Sequence, residues 1–154
     1  MEPTFKISLT KPSDIEVVNL LEQLSNNLET RFGSSGKDSF KEWDENDSRF
    51  IFIKVSTSIE VIGCGGIRPI SNEIGEVKRM YAKYKRTGIG KTVLAFLESE
   101  AKKVGYSEIY LETRIKNYEA CNFYEKNGYN RIENYGRYID KKDAACFGKK
   151  LKMD

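Results

Sequence analysis

Residues 76–104 limit the possible folds of this chain more than any other stretch. Glu76-Val77-Lys78-Arg79-Met80-Tyr81-Ala82 reads as a strand, and Lys83-Tyr84-Lys85-Arg86-Thr87-Gly88-Ile89-Gly90-Lys91 as a short basic turn carrying two glycines. From Gly88 to Val104, Ile89, Val93, Phe96, Leu97, Ala101 and Val104 share one helical face, Lys102 and Lys103 fill the last turn, and Gly105 stops the helix. A strand running through so tight a bend into a long amphipathic helix has to lay that helix back against a sheet. The bend is also suited to an anion. Amides point out of a helix start, the macrodipole adds partial positive charge, and the glycines admit a ligand close to the main chain. Lys85, Arg86 and Lys91 supply full charges, so a phosphorylated ligand fits.

The remaining segments fill in the sheet. Phe5 to Leu9 is an expected first strand, and Ser13-Asp14-Ile15-Glu16 matches a capping box ahead of Ile15, Val18, Leu21, Leu24 and Leu28 at helical spacing. Arg31 to Ser48 reads as a loop with a short helix anchored by Phe40 and Trp43, and it carries the acidic cluster Asp38, Glu42, Asp44, Glu45 and Asp47. Arg49 to Val55 and Val61 to Ile70 form an expected hairpin, followed by a strand from Gly75 to Ala82. Glu108 to Thr113 is a further strand, Asn117 caps a helix through Ala120, Phe123 and Tyr124 to Lys126, and Gly128 ends it. Strands around Tyr129 to Tyr135 and Ala144 to Leu151 close the order. The reading is a single α+β domain over residues 1–154, with a mixed, mostly antiparallel central sheet flanked by helices.

Composition narrows the chemistry. The 154 residues contain no histidine, which removes His-dependent triads, imidazole metal sites and His proton shuttles, leaving Glu, Asp, Tyr, Lys or Cys for acid-base work. Cys64, Cys121 and Cys146 lie far apart with no Cys-x-x-Cys pair, so reduced, mostly buried thiols are expected and no metal. Lys plus Arg exceed Asp plus Glu by only 26 to 23 and are spread along the chain, which argues against nucleic acid as partner. No apolar run approaches the roughly 20 residues that span a bilayer, and no secretory leader pattern opens the chain. A cytoplasmic protein without membrane contact is the expectation.

Spacing separates the phosphate loops that could claim the bend. A Walker A loop requires glycine where Lys85 stands, and a dinucleotide fingerprint wants a third glycine at Val93 and more strand-helix-strand units than follow. The run Lys85-Arg86-Thr87-Gly88-Ile89-Gly90 resembles instead the pyrophosphate turn of the GNAT superfamily of N-acetyltransferases, which reads Arg or Gln, two residues, Gly, any residue, then Gly or Ala. Leu111-Glu112-Thr113, Asn117, Ala120 and Phe123-Tyr124-Glu125-Lys126-Asn127-Gly128-Tyr129 resemble the family's second coenzyme-proximal region, in the right order. Gly63-Cys64-Gly65-Gly66-Ile67 and Cys146-Phe147-Gly148-Lys149-Lys150-Leu151 add to the likeness, which runs from Phe50 onward. Two departures are Lys in the turn's first place and a link from Tyr81 to the glycines that is shorter than usual and lacks the family's proline.

The resemblance implies the acyl-CoA N-acyltransferase fold and acetyl-CoA as co-substrate, bound by Lys85, Arg86, Thr87, Gly88, Ile89, Gly90 and Lys91 at its pyrophosphate. It implies main-chain contacts from Met80, Tyr81 and Ala82 to the pantetheine, and Asn117 near the coenzyme, although capping alone would account for that residue. Tyr124 is implied as the acid that meets the departing thiolate, against the plain alternative of an aromatic at core spacing. An ammonium of pKa about 10 must lose a proton before it attacks, and Glu76 is the first candidate to receive it through water, Glu112 the second. Glu76 could equally be an exposed strand-end carboxylate. Tyr138 and the acidic cluster are candidates for the acceptor entrance. Cys121 as an acyl carrier is disfavoured, because no histidine activates it. The acceptor expected is a primary amine of a small molecule or peptide, and a homodimer through the late strands is compatible with the pattern. A module that binds acetyl-CoA without turnover is the alternative.

Overall fold

The computed structural model describes residues 4–33, 44 and 46–152. The chain runs β1 (Lys6–Leu9), α1 (Ile15–Phe32), β2 (Ile51–Ser56), β3 (Val61–Pro69), β4 (Ile74–Ala82), α2 (Ile89–Lys103), β5 (Glu108–Arg114), α3 (Tyr118–Lys126), β6 (Asn130–Ile132) and β7 (Ala144–Lys150). A 3-10 turn at Gly136–Tyr138 lies between the last two strands. The seven strands form one sheet in the order β1-β2-β3-β4-β5-β7-β6, antiparallel throughout except where β4 runs parallel to β5. The α+β class and mixed sheet expected from the sequence are what is found. Among the described residues no helix is long and apolar enough to cross a membrane.

Strand alternation divides the core between the two faces. Ile51, Ile53, Val55, Ile67, Val77, Ile109, Leu111 and Phe147 meet Val93, Leu94, Leu97 and Ala101 of α2 on one side. Phe52, Val61 and Cys64 meet Val17 and Leu20 of α1 on the other. The glycines of β3 make the first contact possible. A Cβ on Gly63 would stand 2.7 Å from Ile89 Cγ2, and one on Gly65 would stand 3.0 Å from both Val93 and Leu97.

Three boundaries differ from the sequence reading. The cap of α1 is Asp14, whose carboxylate accepts the Glu16 amide at 3.0 Å, rather than a box centred on Ser13. Asp14 is itself held by Lys54 on β2 at 2.6 Å and by the Thr10 hydroxyl at 2.7 Å, which fixes how the helix is rotated. Val17, Leu20 and Leu24 therefore face the sheet, while Ile15 is 71% exposed and Val18 lies at the solvent edge. α1 also runs on to Phe32, so Arg31 is helical. β6 stops at Ile132, short of the expected Tyr135, because the chain turns into the Gly136–Tyr138 segment, which covers β7 through Tyr138, Ala144 and Cys146. The short helix expected around Phe40 and Trp43, with Asp38, Glu42 and Glu45, lies outside the described residues.

Candidate active site

β4 ties the site together, and its irregularity positions the rest. In register with β3, Lys78 faces Gly66 and Tyr81 faces Cys64, so Arg79 and Met80 together stand opposite Gly65. Arg79 has φ of 56°, a left-handed conformation that a branched strand residue avoids. The extra residue makes a bulge, which reverses the alternation along the strand. Glu76 and Lys78 face the α1 side before it, and Met80 and Ala82 reach the α2 core after it. β4 also parts from β5. The two strands are paired only from Ile74 with Glu108 to Val77 with Leu111, so Lys78 to Ala82 has no strand partner on that edge among the described residues.

The parted end of β4 leads into the basic turn. Lys83 Nζ and the Tyr84 hydroxyl both reach Glu60, at 2.5 and 2.7 Å, which pins the turn to the β2–β3 hairpin. Arg86 has φ of 59° and Gly88 has φ of 82°, so the chain makes two left-handed steps before α2 begins. Gly88 caps α2 with no side-chain bond, and no acidic residue occupies the first turn. The first helical amide to find an acceptor is that of Thr92, on the Gly88 carbonyl at 3.0 Å, so the amides of Ile89, Gly90 and Lys91 point outward. Lys85 is 3.6 Å from Glu119 of α3, and Arg86 and Lys91 make no ion pair among the described residues. Backbone donors, helix dipole and free cations thus converge on one spot.

α3 borders the same turn. Asn117 caps it by accepting the Ala120 amide at 3.1 Å, and Phe123 stands where a Cβ on Gly90 would meet it at 3.5 Å. Tyr124, on the next position, is buried against Phe123, Tyr129 and Phe147. Its hydroxyl has no hydrogen-bond partner among the described residues, and burial pushes its pKa well above the usual phenol range. A buried polar group of this kind costs about 1–3 kcal/mol unless something satisfies it. Cys121 donates weakly to the Arg114 carbonyl at 3.8 Å, and burial raises its thiol pKa, as suits a packing residue.

On the α1 side of the sheet a cleft of about 270 Å³ opens between the β3–β4 hairpin and the Gly136–Tyr138 turn. Its floor is a buried polar network. Glu76 is 1% exposed and accepts Arg68 Nε at 2.8 Å on one oxygen and the Tyr135 hydroxyl on the other. Lys78 Nζ lies 3.9 Å from Glu76 and donates to the Tyr138 hydroxyl. Burial lowers the pKa of Lys78, against the opposing pull of Glu76 and Glu112, and burial raises that of Glu112, against Lys78 and Arg114. Asp44, which is exposed, and the half-buried Asp47 also line the cleft. Among the described residues no group of three acidic or cysteine side chains could hold a metal.

The structure therefore sets the Lys85–Lys91 turn against α3 through Glu119 and Phe123, the helix that Asn117 caps and that carries Tyr124, and brings Glu76 together with Tyr138 in the cleft. Met80, Tyr81 and Ala82 lie on the parted edge between them. Glu76 is not the exposed strand-end carboxylate that its position allowed. Arg68, Lys78 and Tyr135 were not singled out from the sequence. Two of them had a signal, since Arg68 and Lys78 are cations on the same strand face as Glu76 in otherwise apolar segments.

The sequence model of the acetyltransferase (GNAT) family matches residues 17–129. An IAA acetyltransferase from Azospirillum brasilense is 30% identical over 142 residues, which is 88% of this chain and 91% of that protein. An uncharacterized N-acetyltransferase from Bacillus subtilis is 33% identical over 96 residues, 60% of this chain and 64% of that protein. Among solved structures, the PaiA N-acetyltransferase from Thermoplasma acidophilum in complex with coenzyme A superposes with a TM-score of 0.74 at 22% identity, covering 96% of this chain and 99% of the other.

Proposed function

The chain belongs to the acetyltransferase (GNAT) family of acetyl-CoA-dependent enzymes, and on that premise we propose that it transfers the acetyl group of acetyl-CoA to a primary amine of a small molecule or peptide. The observation that carries this reading is the start of α2. It has no side-chain cap, no acid in its first turn, three outward amides and the side chains of Lys85, Arg86 and Lys91 around it. Such a terminus favours a diphosphate, because the donors are already aligned and the dipole and cations act in the same direction. The unpaired edge of β4 from Met80 to Ala82 suits an extended pantetheine arm, which would add to the sheet as a further strand does.

The proposed reaction is a direct transfer. The amine lone pair attacks the thioester carbonyl carbon, the C–S bond breaks, the thiolate takes a proton from the Tyr124 hydroxyl, and the proton that the attacking nitrogen sheds as the amide forms returns to Tyr124 through water. The bulge at Arg79 and Met80 interrupts the pairing with β3 where the carbonyl oxygen would lie, so that main-chain amides there can stabilise its developing charge. Glu76 is the proposed final holder of the proton lost by the amine. Nitrogen as the acceptor atom is favoured by the names of the relatives from Bacillus subtilis and Thermoplasma acidophilum.

A binding module without turnover is disfavoured by the cleft, which keeps a buried carboxylate, two tyrosine hydroxyls and a lysine beside the parted strand. The test is release of free thiol from acetyl-CoA in the presence of a panel of alkylamines, polyamines, amino acids and short peptides. Amine-dependent release is expected, and coenzyme binding with no release from any amine would favour the module.

A further inference from the structure

Glu76 lines the cleft, yet both oxygens of its carboxylate are already engaged. At 1% exposed, it has one oxygen taken by Arg68 Nε at 2.8 Å and the other by the hydroxyl of Tyr135. Tyr135 lines the same cleft and carries its hydroxyl on that carboxylate. Its ring is clamped by Tyr110 of β5, with centroids 5.1 Å apart, and by Tyr138, with centroids 5.5 Å apart and edge to face. A phenol that donates to a carboxylate on one side keeps acceptor lone pairs on its oxygen. Held in this way, the oxygen has little freedom except to receive a hydrogen bond from whatever enters the cleft.

We infer that Tyr135 is a further catalytic residue, which takes the proton of the acceptor's ammonium on its hydroxyl oxygen while passing its own proton to Glu76. The inference rests on the acetyl-transfer reading above. The balance is simple: one N–H bond of the ammonium breaks, a new O–H bond forms on Tyr135, the original phenolic proton moves to the carboxylate of Glu76, and the amine keeps its lone pair for the thioester carbonyl. Tyr135 ends neutral, as it began, and Glu76 ends as the carboxylic acid. No phenolate forms at any point, and this matters because burial first, and then the negative charge of Glu76, push the pKa of Tyr135 far above the usual phenol range. A tyrosine in that state cannot serve as a base by ionising, but it can pass a proton through in one motion.

The charged surroundings act in the same direction. Glu76 and Tyr135 are faced by Arg68 from β3, Lys78 from β4, Glu112 from β5, Cys146 from β7, and Arg137 and Tyr138 from the 3-10 turn. Three of these groups are cations. Their field disfavours a positively charged acceptor inside the cleft and so assists loss of its proton, while Arg68 holds the receiving carboxylate in place. Asp44, exposed, and Asp47, half-buried, are the carboxylates on the lining that attract the ammonium as it enters.

The experiment measures thiol release against pH, using the fastest amine of the panel, for the wild type, Tyr135→Phe, Tyr138→Phe and Glu76→Gln. In the wild type, kcat reaches its plateau well below the pKa of that amine. In Tyr135→Phe, kcat falls on the order of 100-fold at neutral pH. It then climbs tenfold per pH unit until the amine ionises on its own, while the affinity for acetyl-CoA in calorimetry is unchanged. Glu76→Gln gives the same change of profile, and it carries the test if Tyr135→Phe does not fold. A wild-type profile retained in both variants overturns the relay while leaving acetyl transfer intact, and so does a profile moved by Tyr138→Phe in place of Tyr135→Phe. A wild type that releases no thiol with any amine overturns the relay and the reading beneath it together.

Discussion

Arg68 and Glu76 stand directly opposite each other on β3 and β4, and Nε of the first donates to Oε1 of the second at 2.8 Å. Lys78, 3.9 Å away, makes this a cluster of two cations and one anion beneath the cleft. Removal of Arg68 takes away the donor to Oε1 of Glu76 and leaves that buried carboxylate to Lys78 alone among these cations. Arg68→Ala is expected to destabilise the fold by about 1–3 kcal/mol in urea unfolding, because a charge-assisted hydrogen bond to a buried carboxylate is lost while Lys78 still balances part of its charge. Arg68→Ala combined with Glu76→Gln should lose less than the sum of the single changes, and strict additivity would show that the two residues do not act as a pair.

Tyr124 separates stability from activity. Its hydroxyl is buried and meets no partner among the described residues, so Tyr124→Phe removes a polar atom that contributes nothing to the folded protein. The expected Tm is equal to or above that of the wild type. Thiol release should nevertheless slow at least several-fold, because the leaving thiolate loses its proton donor. A lower Tm would place an undetected partner on the hydroxyl, and unchanged turnover would remove Tyr124 from the reaction.

The basic turn makes a prediction about salt. Lys85 and Arg86 are exposed, so their attraction for a diphosphate acts largely through solvent and is screened. Lys85→Ala with Arg86→Ala is expected to weaken acetyl-CoA binding roughly tenfold in calorimetry at low salt, with the difference narrowing towards about 0.5 M salt. Equal affinities at low salt would show that the helix terminus holds the coenzyme without them.

Local patterns carried most of the fold. The face of α2, the Asn117 cap and the glycine-rich β3 all follow from residue spacing within one element, and spacing is what a sequence displays. The bulge does not, since Arg79 and Met80 share Gly65 only because β3 and β4 meet there, and neither strand alone shows the extra residue. The cleft was half legible. Arg68 and Glu76 lie four residues on either side of Asn72, so their pairing could be counted once the hairpin was centred there rather than between Ser71 and Asn72. Tyr135, 59 positions from Glu76, reaches it only after β7 has been inserted between β5 and β6. The rotation of α1 was missed for a similar reason, because Lys54 on a later strand fixes its cap.

Gly63 tests how closely α2 lies on the sheet. Gly63→Ala would set a Cβ 2.7 Å from Ile89 Cγ2, at the first residue of the helix whose start forms the proposed coenzyme site. The helix must move or Ile89 must leave its rotamer, with an expected cost of about 1–3 kcal/mol. Coenzyme affinity should fall with it, because the displaced element carries the amides. A destabilised variant with full affinity would show that the strain is absorbed further along α2.

The Asp14–Lys54 pair predicts a defined window of acid and alkali sensitivity. The hydrogen bond from Lys54 lowers the Asp14 carboxyl from its ordinary 3.8 to about 2, and the same bond raises the Lys54 ammonium above 10.5. A carboxyl with a lowered folded pKa stabilises the fold above its unfolded value and loses that contribution as pH falls through the folded one. A lysine with a raised pKa stabilises below its unfolded value and loses that contribution as pH rises through the folded one. Both statements describe one bond, so its contribution should be constant from about pH 4 to about pH 10 and decline on either side. Lys54→Met is the suitable probe, since it removes the bond and leaves the carboxylate of Asp14 to cap α1. The wild type should exceed this variant by about 1–2 kcal/mol across the plateau, a range reduced from the full shift because both side chains are partly exposed. The gap should close between pH 4 and 2. A difference that stays flat from pH 7 to 2 would show that packing of the lysine stem, rather than its charge, is what β2 contributes to the start of α1.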